Sequence, residues 1–285
     1  MANMRAIRLR IKSIENTRQV TRSMRMVSAS KLRRTQEASR GLSEFASAGR
    51  AMLQKLTAGR TDFHNPLLLP HETRDKLCCV LFVGNRGLCG AYNTNLLKYL
   101  EELAAAGTAS VSLVVVGRWG REQIAASGLP VLRRFDGVSD TPGAEEAREV
   151  SEYLKELYLS GAADRVLLVY QHFRSVLAQD PTSLPLLPLE AETAEAGSAD
   201  VIFEPDADSL LNELTELVLR HTVYSVMLEA RTGEHAARMT AMSAASDNTE
   251  ELIQKLSLQL NHARQAAITT EISEIVGGSA ALRNT

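Results

Sequence analysis

Aromatic residues are scarce in this 285-residue chain, at 5 %, and only one of them is tryptophan. The first 44 residues hold no Phe, Tyr or Trp at all, so they lack the rings on which a nucleic-acid binder stacks bases. Cysteine is limited to Cys78, Cys79 and Cys89, an odd and poorly spaced set. Cys78 and Cys79 are adjacent in a predicted strand and point to opposite faces, so they cannot share a metal. No disulfide framework or zinc spacing exists, which fits a reducing compartment. No stretch approaches ~18 uninterrupted apolar residues, so no membrane-spanning helix is expected. Met1–Lys12 is basic without a continuous apolar run, unlike a secretory signal. The six histidines, His64, His71, His172, His221, His235 and His262, pair at no metal spacing, and no H-E-x-x-H, G-x-S-x-G or D-x-D-x-D occurs. No metal site is expected from these spacings.

Glycine and proline are missing from both ends. The first forty residues contain neither, and between Asp206 and Val276 there is no proline and only Gly233. Met4, Ile7, Ile11 and Ile14 fall at 3-4-3 spacing, continued by Val20, Met24 and Val27, which predicts a long amphipathic helix with a coiled-coil seam. Leu210, Leu214, Leu217, His221, Tyr224 and Leu228 step 4-3-4-3-4 in the same way, with His221 as a satisfied core histidine. The pattern then thins to small and flexible residues from Ala236 to Ala245 and recovers at Leu252, Leu256 and Leu260. Helices of this length cannot persist alone in water without burying their stripes. Separated by a middle domain, the two ends are expected to wrap antiparallel around each other.

The middle alternates between strand-like Lys76–Val83, Val111–Val116, Val131–Phe135 and Val166–Tyr170 and helical Thr94–Ala106, Arg121–Ser127 and Ala144–Leu159. That order predicts a mainly parallel sheet covered on both faces. Gln179–Asp206 is rich in proline and acid and reads as an exposed connection. The expected domains are 1–60, 74–205 and 206–285. Paired carboxylates such as Glu101-Glu102 and Glu145-Glu146 read as solvated helix faces.

The net charge of −2 conceals a division. Residues 1–60 carry 14 Lys/Arg against three Glu, or +11, and the remainder carries 18 basic against 31 acidic side chains, or −13. A segment so basic calls for an acidic partner, within or outside the chain. Nucleic acid would answer the charge but not the missing aromatics.

The stretch GNRGLCG, Gly84–Gly90, follows the first strand, where many α/β proteins hold phosphate. Its G-x-x-G-x-x-G is neither the dinucleotide fingerprint nor the P-loop, and the P-loop Lys and hydroxyl are missing. Arg86 remains a candidate for facing a phosphate. Cys89, near a helix start and three residues from Arg86, is a candidate for a lowered pKa, though no histidine is near it in sequence to act as base. The bland readings are a tight strand-to-helix crossing and a buried packing cysteine.

Three longer stretches carry a resemblance. IRLRIKSIENTRQVTRSMRMVSASK (Ile7–Lys31), NRGLCGAYNTNL (Asn85–Leu96) and ARMTAMSAASDNTEELIQKLSLQLNHARQAAITTEISEIVGGSAAL (Ala237–Leu282) are similar to the gamma subunit of F-type ATP synthases. Asn85 stands where that family commonly has Asp, Ser23 where it has Ala, and Ser246 where it has Thr. The resemblance implies an α/β fold: long N- and C-terminal helices forming an antiparallel coiled coil, with a Rossmann-like α/β domain inserted between them. It also implies a noncatalytic rotor shaft inside a ring of three alpha and three beta subunits, seated with the epsilon subunit on a membrane-embedded c-ring. Membrane association would be indirect, at the cytoplasmic face of a bacterial plasma membrane, with no nucleic acid and no cofactor. By position, Met24, Arg25, Arg86, Cys89, Arg264 and Gln265 would contact the alpha/beta ring, and Phe203, Glu204 and Asp206 the c-ring. The alternative is a nucleotide-binding or regulatory α/β protein with a coiled-coil docking arm.

Overall fold

A computed structural model describes residues 2–57, 65–189 and 207–283. Helix α1 covers Ala2–Thr57, followed by β1 (Lys76–Phe82), α2 (Tyr92–Ala106), β2 (Ser110–Val116), α3 (Arg121–Ala126), β3 (Val131–Phe135), α4 (Ala144–Leu159), β4 (Arg165–Phe173), β5 (Gln179–Leu187) and α5 (Ala207–Arg283). The chain divides into two compact units, Ser28–Arg238 and Met1–Val27 with Met239–Thr285.

In the larger unit five strands form one sheet in the order β3-β2-β1-β4-β5. The first four are parallel, with Leu77 opposite Val111 on one side and Arg165 on the other, and β5 pairs antiparallel with β4. The period of two in β1 sends Cys78, Val80 and Phe82 to a core shared with α4 and with parts of α1 and α5. Leu77, Cys79, Leu81 and Val83 go to the opposite core with α2 and α3. All three cysteines are free and buried.

Gln179–Leu187 is not the exposed connection that its prolines suggested. It is the last strand of the sheet, paired with β4 through Pro185 opposite Leu167 and Pro181 opposite Gln171. Proline has no N–H to give a ladder, so an edge strand is where a sheet tolerates it, at positions whose nitrogen faces away from the neighbour. Glu146 also departs from expectation. Its carboxylate accepts the N–H of Ser139 (2.6 Å) and of Gly143 (2.6 Å), closing the start of α4.

Within this unit α1 and α5 run antiparallel. Phe45 lies on His221 with ring centroids 4.5 Å apart, while four residues further on Gly49 meets Val218. A Cβ at Gly49 would lie 3.0 Å from the Val218 Cγ2, so glycine sets the close approach. The Nδ1 of His221 has no protein partner among the described residues, contrary to the expected satisfied histidine.

The α1 seam departs from the sequence-based expectation at Val20 and Val27, and the α5 seam keeps its expected line except at Leu217 and Leu252. Val20 (57 % exposed) and Val27 (54 %) face outward, and the buried positions are taken by Thr21, Ser28, Leu32 and Thr35. Hydroxyls enter a seam cheaply when they bond their own helix, as Thr21 Oγ1 does to the Arg18 carbonyl and Thr35 Oγ1 to those of Lys31 and Leu32. On α5, Leu214 and Leu228 are buried and Leu210, His221, Tyr224, Leu256 and Leu260 half-buried as expected, whereas Leu217 and Leu252 are exposed and Leu211, Val218, Thr222 and Val223 are buried in addition. From Ala230 to Ala236 that helix is buried all round, because it lies between α1 and the sheet. In the smaller unit Met4, Ile7, Ile11 and Ile14 are half-buried as expected, and Arg18 pairs with Glu250. Among the described residues no helix is long and apolar enough to cross a membrane.

Candidate functional site: a glycine loop held by the last helix

In an open α/β sheet, ligands bind beyond the carboxyl ends of the strands, where neighbouring connections diverge. Here β1 connects to β2 on one side and neighbours β4 on the other, so that point lies between β1 and β4. The loop Gly84–Gly90 stands there, and the helix α5 fills the crevice. Tyr92 donates its hydroxyl to the carbonyl of Ala230 (2.7 Å), and Gln171 donates Nε2 to the carbonyl of Tyr92 (2.8 Å). Gly233 faces the Tyr92 ring, and a Cβ there would lie 3.2 Å from it.

Three charged residues of α5, Arg231, Glu234 and Arg238, grip the loop itself. Their 3-4 spacing places them on one helix face. Glu234, 1 % exposed, accepts the N–H of Asn85 (3.1 Å) and of Arg86 (3.4 Å). It also pairs with Arg231 (2.7 Å) and Arg238 (2.6 Å), both buried. Arg231 reaches on to the carbonyl of Val83 (3.1 Å) and Oδ1 of Asn85 (2.9 Å). Arg238 holds the carbonyls of Arg86 (2.9 Å) and Gly87 (3.2 Å). Burial pushes the Glu234 carboxyl upward, but the two guanidiniums outweigh it and hold the group below its ordinary value. Asn85 in turn donates Nδ2 to the carbonyl of Val138 (2.8 Å) and to Asp140 (3.2 Å), and Asp140 pairs with Lys31 of α1.

The loop is therefore no phosphate cradle waiting for a ligand: a carboxylate of the same chain already takes two of its amides. Nor is Cys89 an activated thiol. It is 3 % exposed and accepts a bond from Asn93 Nδ2 (3.3 Å), and burial raises its pKa against the opposing pull of Arg238. What the loop presents outward is Arg86 and Leu88, the latter 62 % exposed and in the left-handed region at φ 61°. Among the described residues no cluster of His, Cys, Asp or Glu could hold a metal ion.

The family described as ATP synthase matches residues 3–282. Over 282 residues the chain is 41 % identical to the ATP synthase gamma chain of Desulfitobacterium hafniense, covering 99 % of this chain and 100 % of that one. The chain belongs to the ATP synthase gamma chain family. It is also 40 % identical over 290 residues to the gamma chain of Chlorobium luteolum, with 100 % of both chains covered. Its fold matches a rotor chain of the Euglena gracilis mitochondrial ATP synthase at a TM-score of 0.71 and 20 % identity, covering 94 % of this chain and 99 % of that one. A chain of the Tetrahymena thermophila central stalk and c-ring structure matches at 0.59 and 21 % identity, over 80 % and 99 %.

Of the residues that the gamma-family motifs single out, Met24 and Arg25 are half-buried on α1, and Arg264 and Gln265 are exposed on α5. Arg86 and Cys89 share the loop, with opposite exposure: only Arg86 offers its side chain to a partner, and the Cys89 thiol supports the turn from inside. Phe203, Glu204 and Asp206 lie outside the described residues. The grip of Arg231, Glu234 and Arg238 escaped sequence reasoning. Its available signal was an i, i+3, i+7 set of charges on one face of a helix otherwise lined there by Ala, Met and Gly.

Proposed function

We propose that this gamma chain is the noncatalytic rotating shaft of a proton-translocating F-type ATP synthase. In this reading the c-ring turns the chain inside a ring of three alpha and three beta subunits, and its asymmetry drives the three beta sites through their conformations in turn. The same shaft would limit ATP hydrolysis and ion flow, with the epsilon subunit alongside, at the cytoplasmic face of a bacterial plasma membrane. The observation that carries the reading is the match to gamma chains over essentially the whole length. The filled crevice supports a noncatalytic role and counts against a free-standing nucleotide binder, because Glu234 takes the loop amides that a phosphate would use.

The energies agree with this division of labour. One charge crossing 100 mV releases ~2.3 kcal/mol, so a few ions per step deliver on the order of 10 kcal/mol. An exposed ion pair contributes at most ~1 kcal/mol. Torque must then pass through continuous packed helices, with single contacts steering rather than bearing the load. Met24 and Arg25, Arg86, and the exposed Arg264 and Gln265 are the proposed ring contacts, and Phe203, Glu204 and Asp206 the proposed c-ring contacts.

Co-expression with the alpha and beta subunits tests the reading. A complex of three, three and one that hydrolyses ATP is expected, and tight ATP binding by the isolated chain without such a complex would sink it. Replacing both Arg264 and Gln265 by Ala is expected to lower coupled turnover by about tenfold while leaving the α/β unit folded, since two polar contacts at a partner surface are removed.

A further inference from the structure

Glu234 receives the donor set of an anion site. Two successive backbone amides, of Asn85 and Arg86, and two guanidiniums, of Arg231 and Arg238, converge on its carboxylate. They do so at the crevice where an open α/β sheet receives anionic ligands. The occupant is tethered to α5, and the same two arginines carry the grip onward to the carbonyls of Val83, Arg86 and Gly87. Gly84 completes the fit, because a Cβ there would lie 3.1 Å from the Glu234 Cδ. Directly beyond this turn stand the exposed Arg86 and Leu88.

We propose that Glu234 is a tethered anion plugging a ligand crevice, and that its charge is what holds the turn bearing Arg86 and Leu88 closed. The plug is a property of the chain by itself and stands apart from the gamma-chain reading. Without the carboxylate, two buried guanidiniums face each other with no counter-charge, and the amides of Asn85 and Arg86 lose their acceptor. The loop then opens locally while the sheet beneath it stays closed.

The Glu→Ala change removes the atoms of one acetate ion, which defines the test. Amide hydrogen exchange is followed in the full chain and in Glu234→Ala. Residues 84–90 are expected to exchange at least about tenfold faster in the variant, with β2 unchanged, since charge-assisted acceptors for two amides are lost. Added acetate restores protection, and neutral acetamide of nearly the same shape does not. Unchanged loop exchange, or equal rescue by acetamide, or no rescue by acetate, would overturn the proposal. Should Glu234→Ala fail to fold, Glu234→Gln keeps the shape and drops the charge. Faster loop exchange over an intact β2 is then expected, and protection equal to the parent overturns it. Failure of the unsubstituted chain to assemble with alpha and beta subunits would instead strike the gamma-chain reading and leave the exchange result untouched.

Discussion

Asn85 uses both ends of its amide, accepting from Arg231 and donating to Val138 and Asp140. An aspartate, the residue common in the family, would lose the donor and set a second carboxylate against Asp140. Asn85→Asp should therefore lower stability at pH 7 by about 1–3 kcal/mol, read as a shift in the urea midpoint. Asp140 makes a second prediction possible. Burial pushes its carboxyl up, but the Lys31 ammonium and the Asn85 amide outweigh that and hold it well below the usual carboxylate range. With the folded value below the unfolded one, this stabilisation is fully present above the unfolded value and is lost as pH falls through the folded one. Lys31→Met should thus cost stability at neutral pH, and the gap to the parent should narrow as pH drops below about 4. Equal gaps at both ends of that range would remove Lys31 from the account.

At the scale of elements, Gly117 is the most crowded of the described glycines. It sits at φ 123°, and a Cβ would come within 2.2 Å of the Val83 carbonyl, where β1 runs into the glycine loop. Gly117→Ala is expected to cost upward of about 3 kcal/mol and to leave little soluble protein. The buried Thr35 behaves oppositely. Its hydroxyl only doubles a bond to carbonyls already in the α1 ladder, so Thr35→Val should change the thermal midpoint by less than about 1 kcal/mol equivalent. These elements also mark what was legible in the chain. Four strands and three short helices stood within a few residues of their observed bounds, because short β-branched and apolar runs, with helical spacing between them, mark those segments. The seam of α1 slipped to Val20 and Val27 because a hydrophobicity reading cannot see a threonine that satisfies itself on its own helix. β5 was lost because prolines look like loop until the neighbour on only one side is known. The grip at Arg231, Glu234 and Arg238 was invisible since charge in a helix reads as solvent-facing until the sheet that covers it is placed.

For the whole molecule, the informative quantity is the separation of charge rather than its sum. A segment at +11 set against a remainder at −13 gives one end of the sequence a strong field for acidic partners. Association with the proposed alpha/beta ring should slow by roughly tenfold or more as salt rises from about 0.1 M to about 1 M, where the screening length shrinks from ~10 to ~3 Å. A salt-independent rate, measured by stopped-flow assembly, would show that the asymmetry plays no part in docking. The prolines of β5 bear on the time before any docking occurs. Pro181 and Pro185 share one parity along the outer strand, so of the three sites 181, 183 and 185 that a further strand would meet only Ser183 keeps a backbone hydrogen. An edge so depleted of donors disfavours strand-to-strand pairing with another copy of the chain, the association to which an uncovered sheet edge is most open.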